Sequence, residues 1–322
     1  MKNIYDIAII GAGPMGIATA IEAKSNGLSH IVLEKGSLVN SVYHFPKSMT
    51  FFSTSEKLEI GGVPFVSIHE KPKRDEALEY YRRVAQKWTL NIRTMEEVVE
   101  VKREAEAFRV VTEKAAYFAK NVVVATGFYD KPNLLNVPGE SLPKVSHYFD
   151  DAHPYIGKKV AVIGAANSAT QVALELFYKG AEVSLIVREA EIGENVKYWI
   201  RPNIVNRIES GEITGFYNTS VQEITPSTII LKTPNGVQEV ENDFVFAMIG
   251  YHPNYRFLEK IGIQCKADAF NTPDFSEQTH MSNIEGLYLA GVVCGGRNTS
   301  RFFIENSKEH AQAIVQNILR NK

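Results

Sequence analysis

Residues 4–20 read IYDIAIIGAGPMGIATA, an apolar, β-branched run that breaks into a glycine loop and then into helix-forming residues. Gly11 permits a tight turn, Gly13 lets backbone amides approach a pyrophosphate, and Gly16 lets a helix pack closely on the strand before it. Pro14 suits a first helical turn. The helix is expected to reach Gly27, a C-cap, and the strand HIVLEK that follows ends on Glu34 and Lys35. Glu34 stands close to the position, about 20 residues beyond the loop, from which a carboxylate accepts the hydroxyls of an adenosine ribose. A lone GxGxxG occurs as a simple packing turn. Strand, three glycines, capped helix, strand and terminal acid together predict a dinucleotide site.

The same device returns at 158–189, KKVAVIGAANSATQVALELFYKGAEVSLIVRE. Gly164 follows the strand, Gly180 closes the helix, and Arg188 ends the next strand. The span from Gly164 to Arg188 is one residue longer than that from Gly11 to Glu34. Ala165 follows the first glycine, Ala166 replaces the second and Ala169 the third. Asn167 and Ser168 are left to donate to a phosphate at the helix start. The strand-end residues separate the ligands: Glu34 would repel a 2′-phosphate and Arg188 would pair with one. FAD is therefore expected in the first domain and NADPH in the second. Arg188 can also be read as a solvated strand-end charge, and Lys197 and Arg201 supply further cations nearby.

The chain of 322 residues is long enough for two ordinary domains. Its formal charge of −2 gives no electrostatic case for nucleic acid. The first apolar run is broken by glycines and a proline, fitting neither a signal peptide nor a membrane span. A cytoplasmic protein with no membrane partner is expected. The two cysteines, Cys265 and Cys294, form neither a CxxC nor a metal cage.

Between the two fingerprints lie a charged helix, RDEALEYYRRVAQKW, and three strand-like segments, the last ending in Ala125, Thr126 and Gly127. After the second fingerprint come a hairpin at Asn235 and Gly236, the strand NDFVFAMIG ending on Gly250, the buried strand IEGLYLAGVV and a closing helix. This order predicts an α/β protein with two Rossmann-like dinucleotide-binding domains, the NADPH domain inserted into a discontinuous FAD domain. The boundaries are expected at 1–124 and 246–322 for FAD and at 125–245 for NADPH.

GAGPMG with Glu34, VVVATG, VIGAANSA with Arg188, AMIGYHPN and LYLAGVV together resemble the two-dinucleotide-domain flavoprotein reductases over nearly the whole chain. Within that group, FFSTSEKLEIGGVPF, KYWIRPNIVNRI and FFIENSKEHA resemble the bacillithiol disulfide reductase family, which is similar to low-molecular-weight thioredoxin reductases but lacks the CxxC. The resemblance implies NADPH-dependent reduction of a low-molecular-weight disulfide through FAD, in a homo-oligomer. It implies an FAD site drawn from Gly11, Gly13, Pro14, Met15, Gly16, Glu34 and Lys35, with His44, Phe51 and Val98. Ala125, Thr126, Gly127, Gly291, Val292 and Ile304 complete that site. It implies an NADPH site drawn from Gly164, Ala165, Ala166, Asn167 and Ser168, with Arg188, Lys197 and Gly250.

The family commonly shows GAGPCG, its cysteine close to the flavin; here the position is Met15. A thioether forms no mixed disulfide, so Met15 is expected to pack against FAD. Cys294, in VVCGGRNTS, is the one alternative catalytic thiol if a helix N-terminus lowers its pKa, and otherwise a small apolar residue. Tyr43, His44, Phe51 and Phe52 either frame the flavin or form loop core. His153 suits a domain-joining turn, and His310 reads as a solvated helix histidine. The electron acceptor is a small molecule or a protein. A ferredoxin- or thioredoxin-directed reductase, for which Met15 is no obstacle, remains open. So does a flavin monooxygenase, although YFDDAHPYIGKKV does not match the FxGxxxHxxxW signature, and so does a redox sensor that binds both cofactors without turnover.

Overall fold

The computed structural model describes residues 4–321 and divides the chain into two compact units, one ending at residue 131 and resuming at 251, the other spanning 132–250. In the first unit, β1 (Ile4–Ile10) lies between β2 (His30–Leu33) and β6 (Ala116–Val124), and all three run parallel. β3 (Ile92–Arg93) extends the parallel side, while β5 (Ala107–Thr112) and β4 (Val98–Glu104) form an antiparallel meander beyond β6. The long β6 serves two neighbours along one edge. Its first half pairs with β5 and its last three residues pair in parallel with the C-terminal strand Leu287–Leu289.

Alternation along the strands builds two cores. Ile7, Ile9, Val32 and Val123 point to one face, where α1 (Pro14–Ser25) and the C-terminal helix Lys308–Arg320 cover them. Ala8, Ile10, Leu33 and Val124 point to the other, where they meet Val98, Val101 and Phe108 of the meander. The strands are buried on both faces where they meet, which is why Ile7–Ile10 of β1 and Val122–Val124 of β6 read as unbroken apolar runs.

The second unit repeats the parallel arrangement in five strands, ordered Thr214–Phe216, Glu182–Ile186, Lys159–Ile163, Phe244–Ala247 and Val145–Ser146. A separate three-stranded antiparallel sheet carries the hairpin, with Thr233 paired to Gly236 across Pro234 and Asn235. The expected cuts at 124/125 and 245/246 lie seven and five residues before the unit boundaries at 131/132 and 250/251. Ala125 remains bonded to β1 through its amide and the Ile10 carbonyl, and a cut at 245/246 would split the strand Phe244–Ala247. His153 opens a short 3-10 turn inside the second unit and joins no domains.

Candidate functional site

The first glycine loop is clamped from three sides. Gly11 adopts φ +105°, and a Cβ there would come 2.6 Å from the Ala125 carbonyl oxygen, which brings the Ala125–Thr126–Gly127 strand end against the loop. A Cβ on Gly16 would overlap the Gly11 carbonyl, so the helix can pack this closely only with glycine. Gly13, at the start of α1, meets nothing within 4 Å at its Cβ position. That open face is where a pyrophosphate can approach backbone amides.

Glu34 closes the third side. One carboxylate oxygen accepts the Ala12 N–H at 2.8 Å and the other accepts the Gly36 N–H at 2.9 Å. Burial raises the carboxyl above its ordinary value, and these two amides oppose that shift. Each oxygen keeps a second lone-pair direction, so the carboxylate can still accept ribose hydroxyls while it holds the loop. Lys35 instead engages Asp130 in an ion pair at 2.8 Å.

Met15 is buried and belongs to the α1-side core with Val39, Val42, Phe51 and Ala125, against which Ile304 also packs. Gly291, at φ +80°, has no room for a side chain because Met15 Cγ lies 2.7 Å from its Cβ position. Val292 Cγ2 lies 3.8 Å from the Cβ position of Gly127. Residues far apart in sequence, from the first loop, the β6 end and the C-terminal strand end, therefore meet in one place. Phe51 is loop core, whereas Tyr43, His44 and Phe52 are exposed. His44 Nδ1 lies 2.9 Å from the Asn40 carbonyl oxygen, and its own carbonyl accepts the Tyr129 hydroxyl.

Three polar atoms test whether a cofactor fits. Thr126 Oγ1, Glu305 Oε2 and Ser307 Oγ are buried without a hydrogen-bond partner among the described residues. Orphaned polar atoms carry a cost unless something satisfies them. One of them, Thr126, sits beside Gly11 and the others lead into the C-terminal helix. Together with the open Gly13 face, they suit a polar ligand as long as FAD.

Several expectations are corrected here. Cys294 is 0 % exposed and packs in the meander-side core, where burial pushes its thiol up, opposite to the lowering that thiolate chemistry needs. Val98, at the start of β4, has its side chain in that same core, so its expected contact with FAD falls to its backbone. His310 is 4 % exposed rather than solvated. Its spacing with Ile314 and Ile318 places it on the buried stripe of the C-terminal helix, a periodicity already present in the sequence.

His310 also reaches the end of the C-terminal strand. Its Nδ1 accepts the Gly291 N–H at 3.1 Å, and its ring stacks on His280 with centroids 3.9 Å apart. Cys294 joins them, the three potential ligand atoms lying within 4.8 Å of one another. The Gly291 amide already uses His310 Nδ1 and burial keeps the thiol protonated, so the trio is a packed neutral cluster.

In the second unit, Gly164 adopts φ +128° and leads into the helix Asn167–Tyr178. Ala165 is half-buried, and Ala166 and Ser168 are exposed at the helix start, leaving amides open to a phosphate. The Asn167 side chain does not await a ligand. Its Oδ1 accepts the Lys197 N–H at 2.7 Å and its amide donates to the Asn195 carbonyl at 3.4 Å, pinning the 195–197 loop beside the helix start. Lys197 Nζ stands 5.6 Å from the Trp199 ring centroid. Arg188 holds an 85 % exposed side chain next to Glu189, open to an incoming phosphate. Gly250, at φ +88°, ends the strand side of the unit, with Asn133 Nδ2 3.3 Å from its Cβ position.

The model of the family described as pyridine nucleotide-disulphide oxidoreductase matches residues 8–291. Bacilliredoxin reductase Bdr of Bacillus subtilis is 42% identical over 318 residues, covering 98% of this chain and 97% of that protein. Among solved structures, bacillithiol disulfide reductase Bdr from Staphylococcus aureus superposes with a TM-score of 0.97 at 41% identity, with both chains covered at 100%. The Bacillus cereus structure of the same name gives 0.97 at 42% identity, covering 99% of this chain and 100% of that one.

Proposed function

Because the chain belongs to the pyridine nucleotide-disulphide oxidoreductase family, with FAD and NADPH as its cofactors, we propose that it reduces a low-molecular-weight disulfide of the bacillithiol type. The observation that carries the reading is the pair of open glycine loops, one tied to a buried carboxylate and the other flanked by an exposed guanidinium. The relatives named bacillithiol disulfide reductase supply the substrate class.

FAD, when bound, takes two electrons from NADPH and hands them to the acceptor. The chain supplies placement. In the first unit, Gly13 leaves its amide face to the pyrophosphate, Glu34 orients the ribose, and Thr126 Oγ1 offers a hydrogen bond at the β6 end. In the second unit, Arg188 pairs with the 2′-phosphate that distinguishes NADPH. In the first unit Met15 contributes an apolar contact beside the glycine loop, and neither cysteine forms a dithiol partner for the substrate. The acceptor is therefore reduced without a protein disulfide, in a reducing compartment such as the cytoplasm.

Met15 favours one second reading, transfer to a protein acceptor such as a ferredoxin. NADPH oxidation followed with bacillithiol disulfide, thioredoxin, ferredoxin and oxygen as sole acceptors separates them. Turnover with bacillithiol disulfide at least tenfold above the others is expected. Turnover with ferredoxin alone would replace this reading by the second.

A further inference from the structure

The Gly291 turn depends on a side chain that arrives from the last helix. Gly291 sits buried in a left-handed turn at φ +80°, and its N–H needs an acceptor there. His310 Nδ1 is that acceptor at 3.1 Å. A neutral imidazole that accepts at Nδ1 carries its proton on Nε2, so the hydrogen bond fixes the tautomer. Three neighbours keep the ring in that state. His280 stacks on it with centroids 3.9 Å apart, Phe302 meets it edge-on at 5.0 Å, and Arg301 lies over Phe302. Burial, His280 and Arg301 together hold the His310 pKa down to about 3. On its other side, Gly291 rests against Met15, which packs beside Ala125 at the first glycine loop.

We infer that His310 is a positioning residue for flavin binding: its unprotonated Nδ1 fixes the left-handed Gly291 turn against Met15, and so sets the protein surface on which the flavin rests. This rests on the reading that FAD occupies the loops of the first unit. The stretch FFIENSKEHA contains the histidine without marking the role, because the residue is separated in sequence from both loops it serves. The interaction is specific to one ring nitrogen. A residue that places an acceptor at the Nδ1 position replaces it, and a residue that places the acceptor one bond further does not.

That specificity gives a test in which both variants remain polar and similar in size. Asn carries its carbonyl oxygen close to the Nδ1 position, whereas Gln carries it near the Nε2 position. Apoprotein of wild type, His310→Asn and His310→Gln is titrated with FAD, recording the dissociation constant and the flavin absorption band, and thermal unfolding of each apoprotein reports folding. His310→Asn is expected to hold FAD within about threefold of wild type with the band unchanged. His310→Gln is expected to bind about tenfold or more weakly with a shifted band, the consequence of a buried amide left without its acceptor. Equal affinity and equal spectra for all three proteins overturn the inference while leaving the FAD reading intact. So does an effect confined to apoprotein unfolding, which marks a purely structural histidine. Failure of wild type itself to bind FAD overturns both.

Discussion

Met15 Cγ lies 2.7 Å from the point where a side chain on Gly291 would begin, so these two residues can occupy their places only because one of them has no Cβ. The contact joins the first glycine loop to the end of the C-terminal strand, and it makes Met15 part of the wall of the site. A thiol in the same place would be shorter and would leave a gap beside Gly291. The departure from GAGPCG thus has a packing consequence as well as a chemical one.

Replacing Met15 by Cys should cost about 1–3 kcal/mol of stability from the lost volume. It should change turnover of a small disulfide less than tenfold, since wild type works without a thiol there. Cys294→Ser should leave turnover unchanged and lower stability by about 1–3 kcal/mol, because a hydroxyl replaces a buried thiol. Steady-state NADPH oxidation and urea unfolding of both variants check this. Loss of more than 90 % of turnover in Cys294→Ser, with the fold intact, would falsify the buried-thiol account.

Gly13 and Gly16 should respond differently to the same methyl group. Gly13→Ala meets no protein atom within 4 Å, so apoprotein stability should change by less than about 1 kcal/mol while FAD affinity falls at least tenfold. Gly16→Ala drives its methyl into the Gly11 carbonyl and should destabilise the apoprotein itself by several kcal/mol. Thermal unfolding with and without FAD separates the two. Equal apoprotein losses would show that the open face at Gly13 is not where the ligand lies.

Arg188→Ala should raise the KM for NADPH about 10- to 100-fold and leave that for NADH within about twofold, as expected for one charge-assisted contact to a phosphate. Its side chain is 85 % exposed, so thermal stability should stay put. An unchanged NADPH preference would move the discrimination to Lys197 or Arg201.

Stability should fall as pH drops from 6.5 toward 5. Burial lowers the pKa of His30, His280 and His310, the last to about 3. Below pH 6.5 the unfolded chain takes up protons that the folded protein refuses, so the folded state loses ground until its own pKa is reached. His310 alone contributes a loss of about 2 kcal/mol by pH 5. Carboxylates held low, such as Asp6 at about 2, lose their contribution only under more acidic conditions. Chemical unfolding at pH 7.5, 6.5 and 5.5 should show the slope, and His310→Asn should flatten it. An identical slope in that variant would assign the acid sensitivity elsewhere.

The loops, the strands and the repeat of the two parallel sheets were legible because glycine spacing and β-branched runs are local signals. The sequence also placed Glu34 and Arg188 at strand ends, but it could not show that Glu34 spends both oxygens on backbone amides, since Gly36 and Ala12 approach it only after the turn closes. The sequence leaves Cys294 between a catalytic thiol and a small apolar residue, and only the folded chain, which turns it into the meander core, decides for the second. His310 was misjudged although its helical spacing showed burial, because a polar residue on an apolar stripe gains its meaning from Gly291, a partner on another element.

The two-neighbour edge of β6 carries a consequence for the order in which the chain becomes protein. Along that edge Val122, Val123 and Val124 pair with Leu287–Leu289, with β1 on their other side, and Lys308–Arg320 packs on the core that holds α1. The second unit, by contrast, is written in one uninterrupted stretch. On a ribosome, the unit begun first is completed last, after residues 132–250 have been made, and deletion of the last helix uncovers a core that was synthesised at the start.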